Sequence, residues 1–149
     1  MRYSNMVTQI GKVLNKHSDN PVDLSYLTVM SGHIELWNAM YRGKAPWIKG
    51  ETESCNLPAS ISQEIARLVT LELKSECTGS ERAEYIEPYY KKVLESLRRY
   101  VEYGCAKGSL VFKPYITSNG IAVQYIQADC FFPVSFDDSG NVTDCIFTE

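Results

Sequence analysis

Tyr103-Gly104-Cys105-Ala106-Lys107-Gly108-Ser109-Leu110-Val111-Phe112 is the stretch on which the fold turns. Before Gly108 apolar residues recur every three or four positions. Tyr90, Val93, Leu94, Leu97, Val101 and Cys105 share one side of a helix over more than four turns. After Ser109 the period becomes two, which is the spacing of a strand. Gly108 stands where a left-handed C-cap belongs, since glycine takes positive φ without steric cost. The letters around Lys107 resemble a phosphate loop, but such a loop carries Lys after its last Gly and opens a helix. This segment closes one.

Working back from that junction, the long helix begins at Ser80 or Glu87, with Pro88 tolerated only in the first turn. Glu87–Lys91, Lys91–Glu95 and Arg98–Glu102 lie at i,i+4 spacing on its polar side, each favourable pair contributing ~0.3 kcal/mol. A preceding helix opens at Ser60 with Gln63 three residues on, a capping box, and Ile61, Ile65, Leu68 and Val69 form its apolar face. Earlier still, residues 23–42 read as a helix with Ile34, Trp37, Met40 and Tyr41 on one stripe, ended by Gly43. The first helix carries Tyr3, Met6, Val7, Ile10, Val13 and Leu14, and Ser18-Asp19-Asn20-Pro21 stops it.

Working forward, Leu110-Val111-Phe112 begins a strand and Asn119-Gly120 signals a type I′ hairpin turn. Pro114 has no N–H to give a ladder, so this strand is expected at an edge or at a bulge. Asp137-Asp138-Ser139-Gly140 turns the chain into a third strand, Val142 to Phe147. The resulting order predicts a single α+β domain over residues 1–149, with about four helices (about 1–108) followed by a short antiparallel β-meander (about 109–149). The ending so soon after Ile146-Phe147 reads as a truncation.

Composition narrows the function. The chain has 149 residues, 15 basic and 18 acidic side chains and a net charge of −3. Residues 1–50 carry six basic and three acidic groups, leaving nine and fifteen for residues 51–149. With a pI near 5.5 and no basic run longer than two residues, a dedicated duplex-DNA surface is not expected. No stretch reaches the ~20 apolar residues of a membrane helix and no signal peptide is visible, so no membrane partner is expected and synthesis in a cytoplasm is. The five cysteines, Cys55, Cys77, Cys105, Cys130 and Cys145, form no CxxC pair and are expected as buried free thiols.

No constellation equipped for chemistry emerges. His17 and His33 lack a carboxylate or thiol partner in the pattern. Asp137-Asp138-Ser139-Gly140-Asn141 lacks the alternating ligands and distal Glu of a calcium loop and reads as a turn. Glu84, Glu87, Glu95 and Glu102 alternate with bases, the mark of a wet helix face. No catalytic residue, metal ligand or cofactor is therefore assigned, and the expectation is a protein that is not an enzyme. Ten Tyr, two Trp and five Phe instead suggest contact surfaces, because an aromatic ring with a polar tip suits a subunit interface. Trp37, Tyr41 and Trp47 are the candidate interface residues.

An ordered set of segments resembles the portal proteins of tailed bacteriophages of Gram-positive hosts. Trp37-Asn38-Ala39-Met40-Tyr41-Arg42-Gly43 with Trp47 is similar to a W-x-x-x-Y-x-G…W stretch near the start of that family. Leu57-Pro58-Ala59, Glu64-Ile65-Ala66 and Leu68-Val69 resemble its next helix. Tyr103 to Gly108 leading into Phe112-Lys113-Pro114-Tyr115 resembles its helix-to-strand junction, and Ala128-Asp129-Cys130-Phe131-Phe132-Pro133 an "AD-x-FFP" segment. The resemblance spans residues 30–148. It implies a structural protein of the virion, assembled in the host bacterial cytoplasm. The chain would be the N-terminal, wing-like part of a subunit whose dodecameric ring stands at the capsid vertex where DNA is packaged and ejected. Implied partners are other portal subunits, terminase, scaffold or capsid proteins and head-completion proteins, with DNA passing the full ring and no specific DNA site in this segment. Family portals are several times longer, so ring closure and terminase docking are not carried over to these residues. Two alternatives stand beside it: a fragment of a phage or prophage enzyme whose active site lies downstream of residue 149, and a small nucleic-acid-binding module.

Overall fold

In the computed structural model, which describes residues 3–17, 24–50 and 53–148, the change from helix to strand falls at Gly108. Four helices come first: α1 Tyr3–His17, α2 Ser25–Tyr41, α3 Leu57–Thr70 and α4 Glu81–Lys107. Then follow β1 Leu110–Thr117, β2 Gly120–Gln127, a 3-10 turn Ala128–Cys130, β3 Phe131–Phe136 and β4 Val142–Phe147. The α+β order holds, and the strands form two antiparallel hairpins, β1–β2 and β3–β4. The Ser18–Pro21 stop signal lies outside the described residues.

Local chemistry explains each boundary and corrects three expectations. Ser80 caps α4 from an extended conformation, its Oγ accepting from the Ala83 N–H at 3.2 Å, and Glu81 and Glu84 follow in the first turn, where acids favour the helix dipole. Pro88 is therefore the eighth residue of α4 rather than part of its first turn. Both Pro88 and Glu84, four residues back, are exposed, so water can serve the carbonyl that the missing N–H leaves unmatched. α3 starts three residues before Ser60. Asn56 caps it at φ 50°, a left-handed conformation that Asn tolerates, and Pro58 follows within the first turn. The Ser60 hydroxyl donates to the Asn56 carbonyl at 3.4 Å, so the expected capping box with Gln63 is replaced by a bond into the helix itself. Of the expected i,i+4 ion pairs, Glu87–Lys91 closes at 3.2 Å, whereas Glu102 accepts from Tyr41.

Gly108 ends α4 at φ 89°, its N–H bonded to the Gly104 carbonyl at 2.9 Å. In the first hairpin Pro114 faces Val123 on a two-stranded ribbon, where an edge position needs no second ladder partner. The turn is Ser118-Asn119, with positive φ confined to Gly120, so it is not the symmetric type I′ form. Thr117 Oγ1 fixes it, accepting from the Asn119 N–H at 3.2 Å and donating to the Gly120 carbonyl at 2.9 Å. The second hairpin carries a register shift between Pro133 and Phe136.

The principal core joins the first two helices to the second hairpin. Tyr3, Val7, Leu24, Leu27, Ile34, Ala128 and Phe132 are buried together, with Met6, Ile10, Leu14, Trp37 and Ile146 packed against them. Phe132 has no exposed surface and stacks on Tyr3 with ring centroids 4.9 Å apart. Tyr26 donates to the Pro133 carbonyl and Ser4 to the Glu35 carboxylate at 2.9 Å. At the helix–strand junction the Lys107 ammonium, only 7% exposed in its side chain, bonds Asp129 Oδ2 at 3.0 Å.

Two outcomes follow from this packing. Phe132→Ala empties a fully enclosed site and lowers unfolding free energy by about 3–5 kcal/mol, measured from denaturant midpoints. Asp129→Asn leaves the Lys107 charge without its counter-ion and costs about 2–4 kcal/mol by the same measurement, whereas Lys107→Met combined with Asp129→Leu recovers most of that loss.

Candidate functional site

α3 carries two stripes. Ala59, Ser62 and Ala66, at i, i+3 and i+7, are the buried positions, and Ala66 has no exposed surface at all. Small side chains there let the backbone of α3 come close to α4 and α2. The large aliphatic residues take positions around that row, Ile61 at the rim of the groove beside Trp37 and Leu71 and Leu73 beside Leu94 and Leu97 of α4. Leu57, Ile61, Ile65, Leu68 and Val69, continued by Leu71 and Leu73, each keep between 42% and 63% of their surface exposed. The sequence pattern assigned this apolar face to packing; the structure turns it outward. Large apolar residues dominate a periodicity reading, and the signal that identifies the inner face is the fainter alanine-serine-alanine row.

Trp37 and Tyr41 stand one turn apart on α2 and border a groove of about 390 Å³ whose other walls include Met40, Pro58, Ile61 and Ala106. Trp37 is fixed from two sides. His33, exposed on the same helix, stacks on it at 5.8 Å, and Gly108 lies so close beneath the indole that a Cβ there would stand 2.8 Å from the ring. Tyr41 donates to Glu102 Oε1 at 2.6 Å and meets Tyr103 edge to face at 6.2 Å. Trp47 is not part of this groove. It stands on the loop after α2 with 62% exposure. The structure thus brings together two of the three candidate interface residues and adds Pro58 and Ile61 of α3 to them. The side chain of His17 lies outside the described residues.

Along the other side of α4, Tyr100 stacks on Tyr125 and Phe112 meets Tyr125 edge to face. These rings seat the first hairpin on the helix. The cysteines depart from expectation, for none is buried. Cys55, Cys105 and Cys145 are exposed, Cys77 and Cys130 half-buried, and all are free thiols. Cys105 opens onto the groove, and Cys145 lies on a two-stranded ribbon with too few neighbours to enclose it. The acidic turn is accounted for by its own hydrogen bonds. Asp137 Oδ1 accepts from the backbone N–H groups of Ser139 and Asn141 at 2.9 and 2.7 Å, and Asn141 Nδ2 donates to Oδ2 at 2.8 Å. These donors, Asn141 foremost, hold the carboxyl below its usual range.

Two phenols are strongly perturbed. Burial, then the nearby Asp129 carboxylate, pushes Tyr3 up to about 12. Burial, then the hydrogen bond to Glu102, pushes Tyr41 up to about 12 as well. Both favour the neutral phenol, which suits a packed contact; neither prepares a proton for transfer near neutrality.

No protein-family model, curated protein or solved structure matches this chain.

The tyrosine shifts fix a pH dependence. Below pH 10 both phenols are neutral whether the chain is folded or unfolded, so their contribution to stability is intact. Between pH 10 and about 12 the unfolded chain ionises while the folded one does not, and that contribution is lost as pH rises. Tyr3→Phe/Tyr41→Phe is expected to move the alkaline unfolding midpoint upward, followed by circular dichroism alongside tyrosinate absorbance.

Proposed function

We propose that this chain is a structural assembly module, the wing-like part of a tailed-phage portal subunit. In this reading it contributes to the ring at the capsid vertex through which DNA is packaged and ejected. It performs no chemistry of its own. Other portal subunits, terminase, capsid or scaffold proteins and head-completion proteins are its partners in the virion and in the host cytoplasm during assembly.

The observation that carries the reading is a convergence. The family-like segments are far apart in sequence, yet they meet at one junction. Trp37 from the first segment covers Gly108 from the third, and Pro58 from the second lines the groove with both. Lys107 of the third segment is bonded to Asp129 of the fourth. Segments spread along the chain that meet at one packing junction are expected of a scaffold. The outward apolar face of α3 and the half-buried Trp37 and Tyr41 provide surfaces suited to contact with other subunits.

The complete product of the reading frame that encodes this chain is expected to form closed rings in negative-stain electron microscopy. A monodisperse monomer under every condition of salt and concentration would overturn the proposal.

A further inference from the structure

We propose that Pro88 is a hinge in α4 and that residues 71–80 form a strap across it, holding the first two turns of the helix in line with the rest. This goes beyond the portal reading and does not rest on it.

The first support is the uneven packing of α4. Of residues 81–88 only Ala83 and Glu87 are half-buried, and the other six are exposed. Packing begins at the next residue. Tyr89 presses so closely on the first hairpin that its hydroxyl leaves Gly120 no room for a Cβ. Further on, Leu94 and Leu97 stand between Leu71 and Leu73 on one flank and Phe112 and Val123 on the other. Helical turns with few apolar neighbours open locally at little cost, so the two parts of α4 differ in stability.

The second support is the place of the proline. Pro88 lies at the border between the exposed turns and the packed ones, and it has no N–H to give the Glu84 carbonyl. The helix ladder is one bond short where lateral support also ends. A missing rung is where helices bend.

The third is what spans that point. Nine of the ten residues that connect α3 to α4 are exposed, Cys77 being the half-buried one, so burial alone does not hold the connection in its course. Hydrogen bonds fasten it on both sides of Pro88. The Cys77 N–H donates to Glu87 Oε2 at 2.7 Å, and the Ser75 hydroxyl lies 2.7 Å from that of Tyr90. Glu87 Oε1 is held in turn by Lys91 at 3.2 Å. The Cys77 N–H, then Lys91, keep the carboxyl below its usual range, so the fastening is ionised at neutral pH.

Residue-resolved amide hydrogen exchange on the purified chain at neutral pH tests the device. Amides 84–87 are expected to exchange at least about tenfold faster than amides 93–104. Glu87→Ala is expected to raise exchange at Cys77 and at 84–87 about tenfold, the effect of losing one hydrogen bond to a charged group, and to leave 93–104 unchanged. The sign is diagnostic, because alanine is the better helix former and slows exchange if Glu87 acts within the helix alone. Lys91→Ala, which breaks only the ion pair, is expected to leave the Cys77 amide protected. Ser75→Ala, at an exposed position, loosens the strap from its other end and is expected to raise exchange at Cys77 to a smaller extent. Pro88→Ala supplies the missing N–H, and is expected to slow exchange at 84–87 and make it indifferent to Glu87→Ala. Equal protection on both sides of Pro88 in the parent would overturn the proposal. So would a Glu87→Ala effect that is absent at 84–87, or spread evenly along α4, or undiminished when Pro88→Ala is added.

Discussion

The ion pair between Lys107 and Asp129 is the constraint around which the molecule closes. A lysine this far from water must find a counter-ion, because an unpaired buried charge costs several kcal/mol. Its partner comes from the 3-10 turn that separates the two hairpins, 22 residues further along the chain. That single bond ties the last turn of α4 to the start of β3. Phe132, three residues beyond Asp129, is thereby brought onto Tyr3 at the other end of the sequence. The pair does not itself supply most of the stability, which comes from the apolar core. It selects where that core forms.

The architecture also shows how two demands on one helix are reconciled. α3 must lie close to α4, and only small side chains permit that approach, so Ala59, Ser62 and Ala66 take the inner positions. Its aliphatic residues are then left facing outward. The exposed ridge and the tight helix pair are two results of one choice of residues. A second consequence falls on the groove, whose wall is completed by Pro58 and Ile61 only because α3 lies this near.

Much of the fold was legible in the sequence because local physics dictates it. Gly108, Ser80, Pro114 and the switch of period at Ser109 act through backbone geometry that no tertiary contact reverses. The errors arose where tertiary packing decides between locally equal options. The Ser60–Gln63 pattern is a valid cap in isolation, yet Asn56 reaches a left-handed conformation and starts the helix earlier. Proline chemistry alone confines Pro88 to the first turn of a helix, although its exposed position lets it remain inside α4. The α3 ridge looked like a core face because hydrophobic period reports a stripe without saying which way it points. Trp37 and Tyr41 were found through their aromatic character, which marks a surface whatever the helix orientation. Trp47 shares that character but stands apart, since nothing in a loop's composition says where its tip will project.

The indole lying over Gly108 has one more implication. The chain has two tryptophans, and their surroundings differ sharply: Trp37 is held at the seam between helices and strands, while Trp47 stands in water. The molecule therefore contains its own optical gauge. Emission from the first is sensitive to any loosening of the seam, and emission from the second supplies a steady reference that such loosening leaves unchanged.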